Sequence, residues 1–108
     1  MREALLAVRD LRARRSGAAA LEVAAEFVDD APIAARLLGA AAGLRRAIAL
    51  PAGGWWGGMT AARGRALQQS LGAESFTREH ATGESLRLED ALALAQDALT
   101  TLHPGATR

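Results

Sequence analysis

Lysine, cysteine, tyrosine and asparagine are absent from this sequence of 108 residues. Without cysteine the chain has no disulfide, no thiolate metal ligand and no thiol nucleophile. All 13 basic residues are arginine. Because lysine, asparagine and tyrosine have AT-rich codons and arginine has GC-rich ones, this bias indicates a GC-rich genome rather than selection for arginine chemistry. A net charge of +1 gives no argument for a nucleic-acid partner.

Strand-forming residues and long apolar runs are also scarce. Half of the residues are hydrophobic, but most of the excess is alanine, and there are only two Phe and two Trp. Alanine is the best helix former, so the composition predicts an all-α fold. No apolar run approaches the roughly 20 residues of a membrane helix, and the N-terminus lacks the pattern of a signal peptide. We therefore expect one cytoplasmic domain over residues 1–108, without a membrane partner.

Hydrophobic periodicity predicts about six helices, arranged as hairpins in a stack. Ser16-Gly17 is expected to separate the first two helices, and Leu50 to Gly58 is expected to be a loop because it holds four glycines and a proline. The predicted helices cover, in chain order, about 2–14, 16–28, 31–48, 60–71, a short segment between Gly72 and Gly83, and 88–102, where His103-Pro104-Gly105 ends the last one.

The third predicted helix carries two different apolar rows. Leu37, Ala41 and Leu44 form a seam for a neighbouring helix, and we expect this helix to be the central one. A second row, Ala35, Gly39 and Gly43, has almost no side chain. Glycine inside a helix costs about 1 kcal/mol relative to alanine, so this row predicts close approach of another helix backbone.

Two segments resemble the C-terminal end of large bacterial regulators, the LuxR-type and related ATPase regulators with tetratricopeptide (TPR) repeats. They are ARLLGAAAGLRRAI (35–48) and RALQQSLGAESFTREHATGESLRLEDALALA (65–95), separated by a Pro-containing loop. The family pattern is an A-R-L-L-G-A-A helix, then L-G-x-x-x-F, then G-x-x-L-x-L-E-x-A-x-x-L-A. Residues 36–42, 71–76 and 83–95 match these three motifs in order.

This resemblance implies the tail of a TPR-like repeat array that acts as an interaction or regulatory segment of a transcriptional regulator. The family's ATPase module and helix-turn-helix domain are not found in the sequence. Two positions depart from the pattern: Trp55-Trp56 replaces a more polar, Pro-rich connection, and Arg87 stands where a Ser or Thr cap is usual.

The polar residues predict no catalytic site, metal site or cofactor. Asp29-Asp30 beside Pro32 is typical of a helix N-terminus rather than of a catalytic acidic pair. His80 and His103 lack metal-ligand spacing, and His80, four residues after Phe76, is expected at the edge of the core. The glycine-rich loop lacks the Lys-Ser/Thr of a phosphate-binding loop, and the serines lie outside any nucleophile motif. We therefore predict that the chain is not an enzyme, and nothing supports the alternative of a composite site at an oligomer interface.

Two sets of residues are candidates for binding. A repeat tail without its preceding repeat exposes an apolar face, here Leu5, Val8 and Leu11, which predicts a protein partner or a homodimer. Trp55-Trp56 either covers an end of the stack or anchors an interface, since tryptophan is enriched in binding hot spots.

A small DNA-binding helical module is the alternative function. The arginines that would contact phosphates are Arg12, Arg14, Arg15, Arg45 and Arg46. Acidic residues (Glu3, Asp10, Glu22 and Glu26) intersperse the same region and no recognition helix follows a tight turn, so a solvated face is favoured and direct nucleic-acid contact is not expected.

Overall fold

The computed structural model describes residues 2–49 and 53–102, with side chains described over 9–49 and 53–100. These residues form five α-helices and no strand, which confirms the all-helical stack with one helix fewer than expected. The helices are α1 (Arg2–Phe27), α2 (Ala31–Ala47), α3 (Gly54–Leu71), α4 (Ala73–Glu84) and α5 (Leu88–Leu102). No helix in the described part is both long and apolar enough to cross a membrane.

Helix α1 is continuous, so the predicted break at Ser16-Gly17 is wrong. The helix has 26 residues and is about 39 Å long. Gly17 is buried, and a Cβ atom at this position would overlap the side chain of Leu88. The glycine therefore lets α5 approach the middle of α1. The packing that this approach permits offsets the low helix propensity of glycine.

Helix α3 begins at Gly54, so the prediction of a loop as far as Gly58 is also wrong. Gly54 has a φ of +58°, in the left-handed region that favours glycine, and the amide of Gly57 donates to the carbonyl of Gly53 over 3.0 Å. Trp55 and Trp56 therefore lie in the first turn of a helix. Residues 50–52 of the predicted loop lie outside the described part.

Helix α2 begins as the sequence predicts and lies at the centre of the molecule. The carboxylate of Asp30 accepts a hydrogen bond from the amide of Ile33 over 3.2 Å, and Pro32 occupies the first turn. The helix packs against all four others. Its predicted seam is confirmed, since Leu37 is completely buried and Ala41 and Leu44 are nearly so.

The closest helix pair is α2 and α4. A Cβ atom added to Gly39 would overlap the carbonyl of His80, and one added to Gly83 would overlap the carbonyl of Arg36. One added to Gly43 would lie 3.1 Å from the carbonyl oxygen of Glu84. The expected close approach along the glycine row is thus confirmed, and α4 is the helix that makes it.

The last two helices follow the predicted boundaries. Gly72, with a φ of +86°, separates α3 from α4, and α5 runs from Leu88 to Leu102. Ala91 and Ala95 on α5 join the core that α1 and α2 dominate. The predicted terminator, residues 103–105, lies outside the described residues.

The α2–α4 contact predicts opposite effects for two glycine-to-alanine substitutions. We expect Gly39→Ala to destabilise the protein by about 1–3 kcal/mol, because the methyl group overlaps backbone that cannot rotate away. Gly58→Ala is the matched control on α3, where a Cβ atom meets nothing within 4 Å. It should stabilise by about 0.5–1 kcal/mol through helix propensity. Urea denaturation measures both free energies of unfolding, and stabilisation by Gly39→Ala would contradict the packing described.

Candidate functional site

A groove of about 700 Å³ lies between α2, α3 and α4, with one residue of α1 reaching its wall. Six of its eleven lining residues are apolar, and four of these six are alanine or glycine. The apolar lining residues are Leu38, Ala42, Ala49, Ala61, Gly64 and Phe76. The polar lining residues are Glu22, Arg45, Arg46, Thr60 and His80. A concave apolar surface with a few convergent polar groups is the usual form of a small-molecule site.

A buried carboxylate joins three helices on one side of the groove. Glu22 of α1 is only 4% exposed, and its two oxygens accept hydrogen bonds from Nε and Nη2 of Arg45 over 2.8 and 2.7 Å. The indole Nε1 of Trp56 donates to the same carboxylate over 2.6 Å. The hydrogen bonds to Glu22 raise the pKa of the Arg45 guanidinium above its ordinary value. The bidentate geometry fixes α1 to α2, and Trp56 fixes the start of α3 to both.

The two tryptophans therefore have different environments. The ring of Trp56 is partly buried and hydrogen-bonded, whereas Trp55 is 78% exposed. Their ring centroids are 6.2 Å apart. Of the pair that the sequence singled out, Trp56 contributes to the internal network and Trp55 is available on the surface.

Ion pairs join α2 to α4, and two of the residues in them, Arg46 and His80, line the groove. Arg46 donates from Nη2 to Glu84 over 2.5 Å, and Nδ1 of His80 lies 2.9 Å from the other oxygen of that carboxylate. Arg36 donates to Glu79 over 2.7 Å. The arginine hydrogen bonds are the main cause that lowers the pKa of both glutamates below 4.5, the ordinary value. His80 is half-buried beside Phe76, with ring centroids 5.5 Å apart.

Sequence reasoning missed three residues of this region. Arg63 of α3 donates to the carbonyls of Ala25 and Val28 over 2.8 and 3.0 Å, and so satisfies acceptors near the end of α1. Thr60 lines the groove, yet its Oγ1 atom is buried and has no hydrogen-bond partner. Glu22 had a signal in the sequence, because it is an acid on the same helical face as Ala18 and Ala25, both of which are buried. Arg63 and Thr60 had none.

The predicted interface residues Leu5, Val8 and Leu11 lie on the first part of α1. Leu11 is 47% exposed, and the side chains of Leu5 and Val8 lie outside the described residues. From residue 9 to residue 16 only Arg14 is partly covered, and the first buried position among the described side chains of α1 is Gly17. This part of α1 therefore extends past the body of the helix stack.

Three of the five arginines proposed for nucleic-acid contact bind carboxylates of the chain itself. Arg14 pairs with Asp10 at 2.9 Å, and Arg45 and Arg46 make the pairs described above. Arg12 and Arg15 are exposed. Within the described residues no group of His, Cys, Asp or Glu is placed to hold a metal ion. Comparison with protein-family models, curated proteins and solved structures finds no match to this chain.

The lowered pKa values of Glu79 and Glu84 predict acid sensitivity. A depressed pKa in the folded state means that the ion pairs stabilise the protein above about pH 4.5 and that this stabilisation is lost as the pH falls through the folded values. We expect the double variant Glu79→Gln/Glu84→Gln to flatten the dependence of unfolding free energy on pH below that point. Glu74→Gln removes one carboxylate from the exposed first turn of the same helix and is the control, and it should flatten the slope less than the double variant does. An unaltered slope in the double variant would show that the pairs do not stabilise α4.

The buried carboxylate predicts a strong coupling between Glu22 and Arg45. Glu22→Gln removes the carboxylate charge that faces the largely buried guanidinium of Arg45 and should destabilise by about 3 kcal/mol. Because removing both charges leaves neither unpaired, Glu22→Leu/Arg45→Met should cost much less than the sum of its two single substitutions. Chemical denaturation of wild type, Glu22→Leu, Arg45→Met and the double variant gives the coupling energy between the two residues. Strict additivity of the two single effects would contradict a direct pair.

Proposed function

We propose that the chain is a non-catalytic, TPR-like helical interaction and regulatory segment, part or remnant of a bacterial transcriptional regulator. It acts by presenting a surface rather than by chemistry. The observation that carries the proposal is that a glycine of each motif has a structural task in bringing α2 and α4 together. Gly39 of the A-R-L-L-G-A-A motif and Gly83 of the third motif both meet the opposite backbone at the α2–α4 contact. Gly72 of the second motif forms the turn that leads into α4.

The surface proposed for association is the free part of α1 together with Trp55. A repeat array buries its helix faces against neighbouring repeats, so a terminal piece keeps one face uncovered. Leu11 and Trp55 are the residues with exposed side chains among those that the sequence named as interface candidates. We propose that a second copy of the chain covers it in a two-fold dimer, the commonest closed arrangement.

The pairing of arginines favours a protein partner over nucleic acid. Arg45 and Arg46 already bind Glu22 and Glu84 at 2.7 and 2.5 Å, so binding a phosphate would compete with these carboxylates. Phosphate contacts make affinity fall steeply with salt concentration. Salt-dependent binding of unrelated duplex DNA, weakened by Arg45→Gln and Arg46→Gln, would favour the alternative of a DNA-binding module.

Sedimentation velocity over the micromolar range tests the dimer. We expect wild type to change from monomer to dimer with rising concentration, and Leu11→Glu to raise the dissociation constant at least about tenfold, because it places a charge in an apolar contact. Ala13→Glu adds the same charge two residues further along α1, on the opposite side of the helix, and should leave association unchanged. Trp55→Ala should weaken the dimer as well.

A monomer at every concentration would exclude self-association. Equal effects of Leu11→Glu and Ala13→Glu would place the contact elsewhere. The link to a regulator has its own test, because adjacent coding sequence for an ATPase or a helix-turn-helix domain would support it.

A further inference from the structure

The groove between α2, α3 and α4 stays unfilled because its wall residues are small and the helices around it are fixed by other contacts. Its walls carry Ala42 on α2 and Ala61 and Gly64 on α3, which are too small to fill the space. A Cβ atom at Gly64 would have one neighbour, a methyl group of Leu38 at 4.0 Å. The Glu22 network fixes α3 on one side, and the Arg46–Glu84 pair fixes α4 on the other. The volume of about 700 Å³ falls within the range of roughly 300–1,000 Å³ that small-molecule sites have.

The charges along the groove are matched within the protein. Glu22 is paired with Arg45, and Arg46 is paired with Glu84, which also contacts His80. A charged ligand would have to break one of these pairs or lose its own hydration against an apolar lining. Both cost free energy, so the lining favours an occupant without net charge.

One polar atom of the lining residues has no hydrogen-bond partner within the protein. Oγ1 of Thr60 is buried and lacks a hydrogen-bond partner, a state that costs free energy. Thr60 also lines the groove, so rotation about its χ1 angle exchanges the positions of its methyl and hydroxyl groups. A ligand with one hydrogen-bonding group would therefore find a partner that the protein itself does not supply.

We infer that this groove binds an uncharged, largely apolar small molecule that carries one hydrogen-bonding group, with Thr60 as its polar contact and Leu38 and Phe76 as its apolar contacts. This site is separate from the association surface proposed on α1, since none of the interface residues lines the groove. It would make the helical segment responsive to a small molecule.

Two fluorescent probes with the same aromatic body test the inference. N-phenyl-1-naphthylamine is uncharged and has one N–H donor, and 1-anilinonaphthalene-8-sulfonate adds a negative charge to the same skeleton. We expect the uncharged probe to bind the full chain saturably at one site, and the sulfonate to bind at least about tenfold more weakly. Probe emission on titration with protein gives both dissociation constants.

Matched substitutions on α3 locate the binding site. Ala61→Phe fills the groove and should weaken binding of the uncharged probe at least about tenfold, whereas Ala62→Phe, at the next exposed position, should leave binding unchanged. Thr60→Val removes the hydroxyl with little change in shape and should weaken binding several-fold, while Thr60→Ser should retain it. Circular dichroism of each variant confirms folding.

Energy transfer adds a readout that does not depend on a variant at the groove. In Trp55→Phe the remaining tryptophan is Trp56, whose indole contacts the groove residue Glu22, so its emission should fall as the uncharged probe binds. No saturable binding of that probe, equal binding of the two probes, or equal loss in Ala61→Phe and Ala62→Phe would overturn the inference. It would also be overturned if Ala61→Phe abolished dimerisation and left probe binding intact, since the groove would then be a protein interface.

Discussion

The near-contact of the α2 and α4 backbones is the constraint on which the rest of the structure depends. It exists because Gly39 and Gly83 present no side chain at the crossing, where a methyl group on either would overlap a carbonyl of the other helix. Glycine lowers the stability of an isolated helix, but here it permits dispersion contacts along both helices that a larger residue would prevent. The two ion pairs that join α2 to α4 span the same contact, so charge and packing act together there.

The groove follows from this contact and from a second one. Because α4 lies so close to α2, Phe76 and His80 reach the same space as Leu38 and Ala42. On the opposite side, Glu22 holds the beginning of α3 through Trp56. Helix α3 is thereby fixed at a distance from α4 that small residues on its inner face leave unfilled. A binding site thus arises between helices whose positions are set by other contacts.

The proposed activities use different parts of the molecule. Association uses the first part of α1, which extends beyond the stack, and the exposed Trp55, whereas the ligand groove lies between α2, α3 and α4. Glu22 links α1 to the groove, since it lies on α1 and contacts Arg45 of α2 and Trp56 of α3. An occupant of the groove would therefore act on the network that anchors α1, a physical route by which a ligand could alter the association surface.

Local sequence signals predicted the structure correctly at helix caps, at a turn glycine and along a buried apolar seam. Asp30 with Pro32 starts α2, Gly72 forms a turn, and the seam of Leu37, Ala41 and Leu44 is buried. They failed where tertiary packing outweighs propensity. Gly17 continues a helix because α5 packs against it, and Gly57 and Gly58 lie inside α3, whose first turn is held by the hydrogen bond of Trp56.

The sequence by itself determined the helical class, the position and centrality of α2, and the existence of a close contact at its glycine row, because apolar periodicity and the size of glycine act within one helix. Only the tertiary structure decided which helix makes that contact, which charges are paired, and that Thr60 and Glu22 border a groove. Glu22 and Arg45 are 23 positions apart, and Arg46 and Glu84 are 38 apart. Pairing over such separations depends on how whole helices pack, which no local pattern encodes.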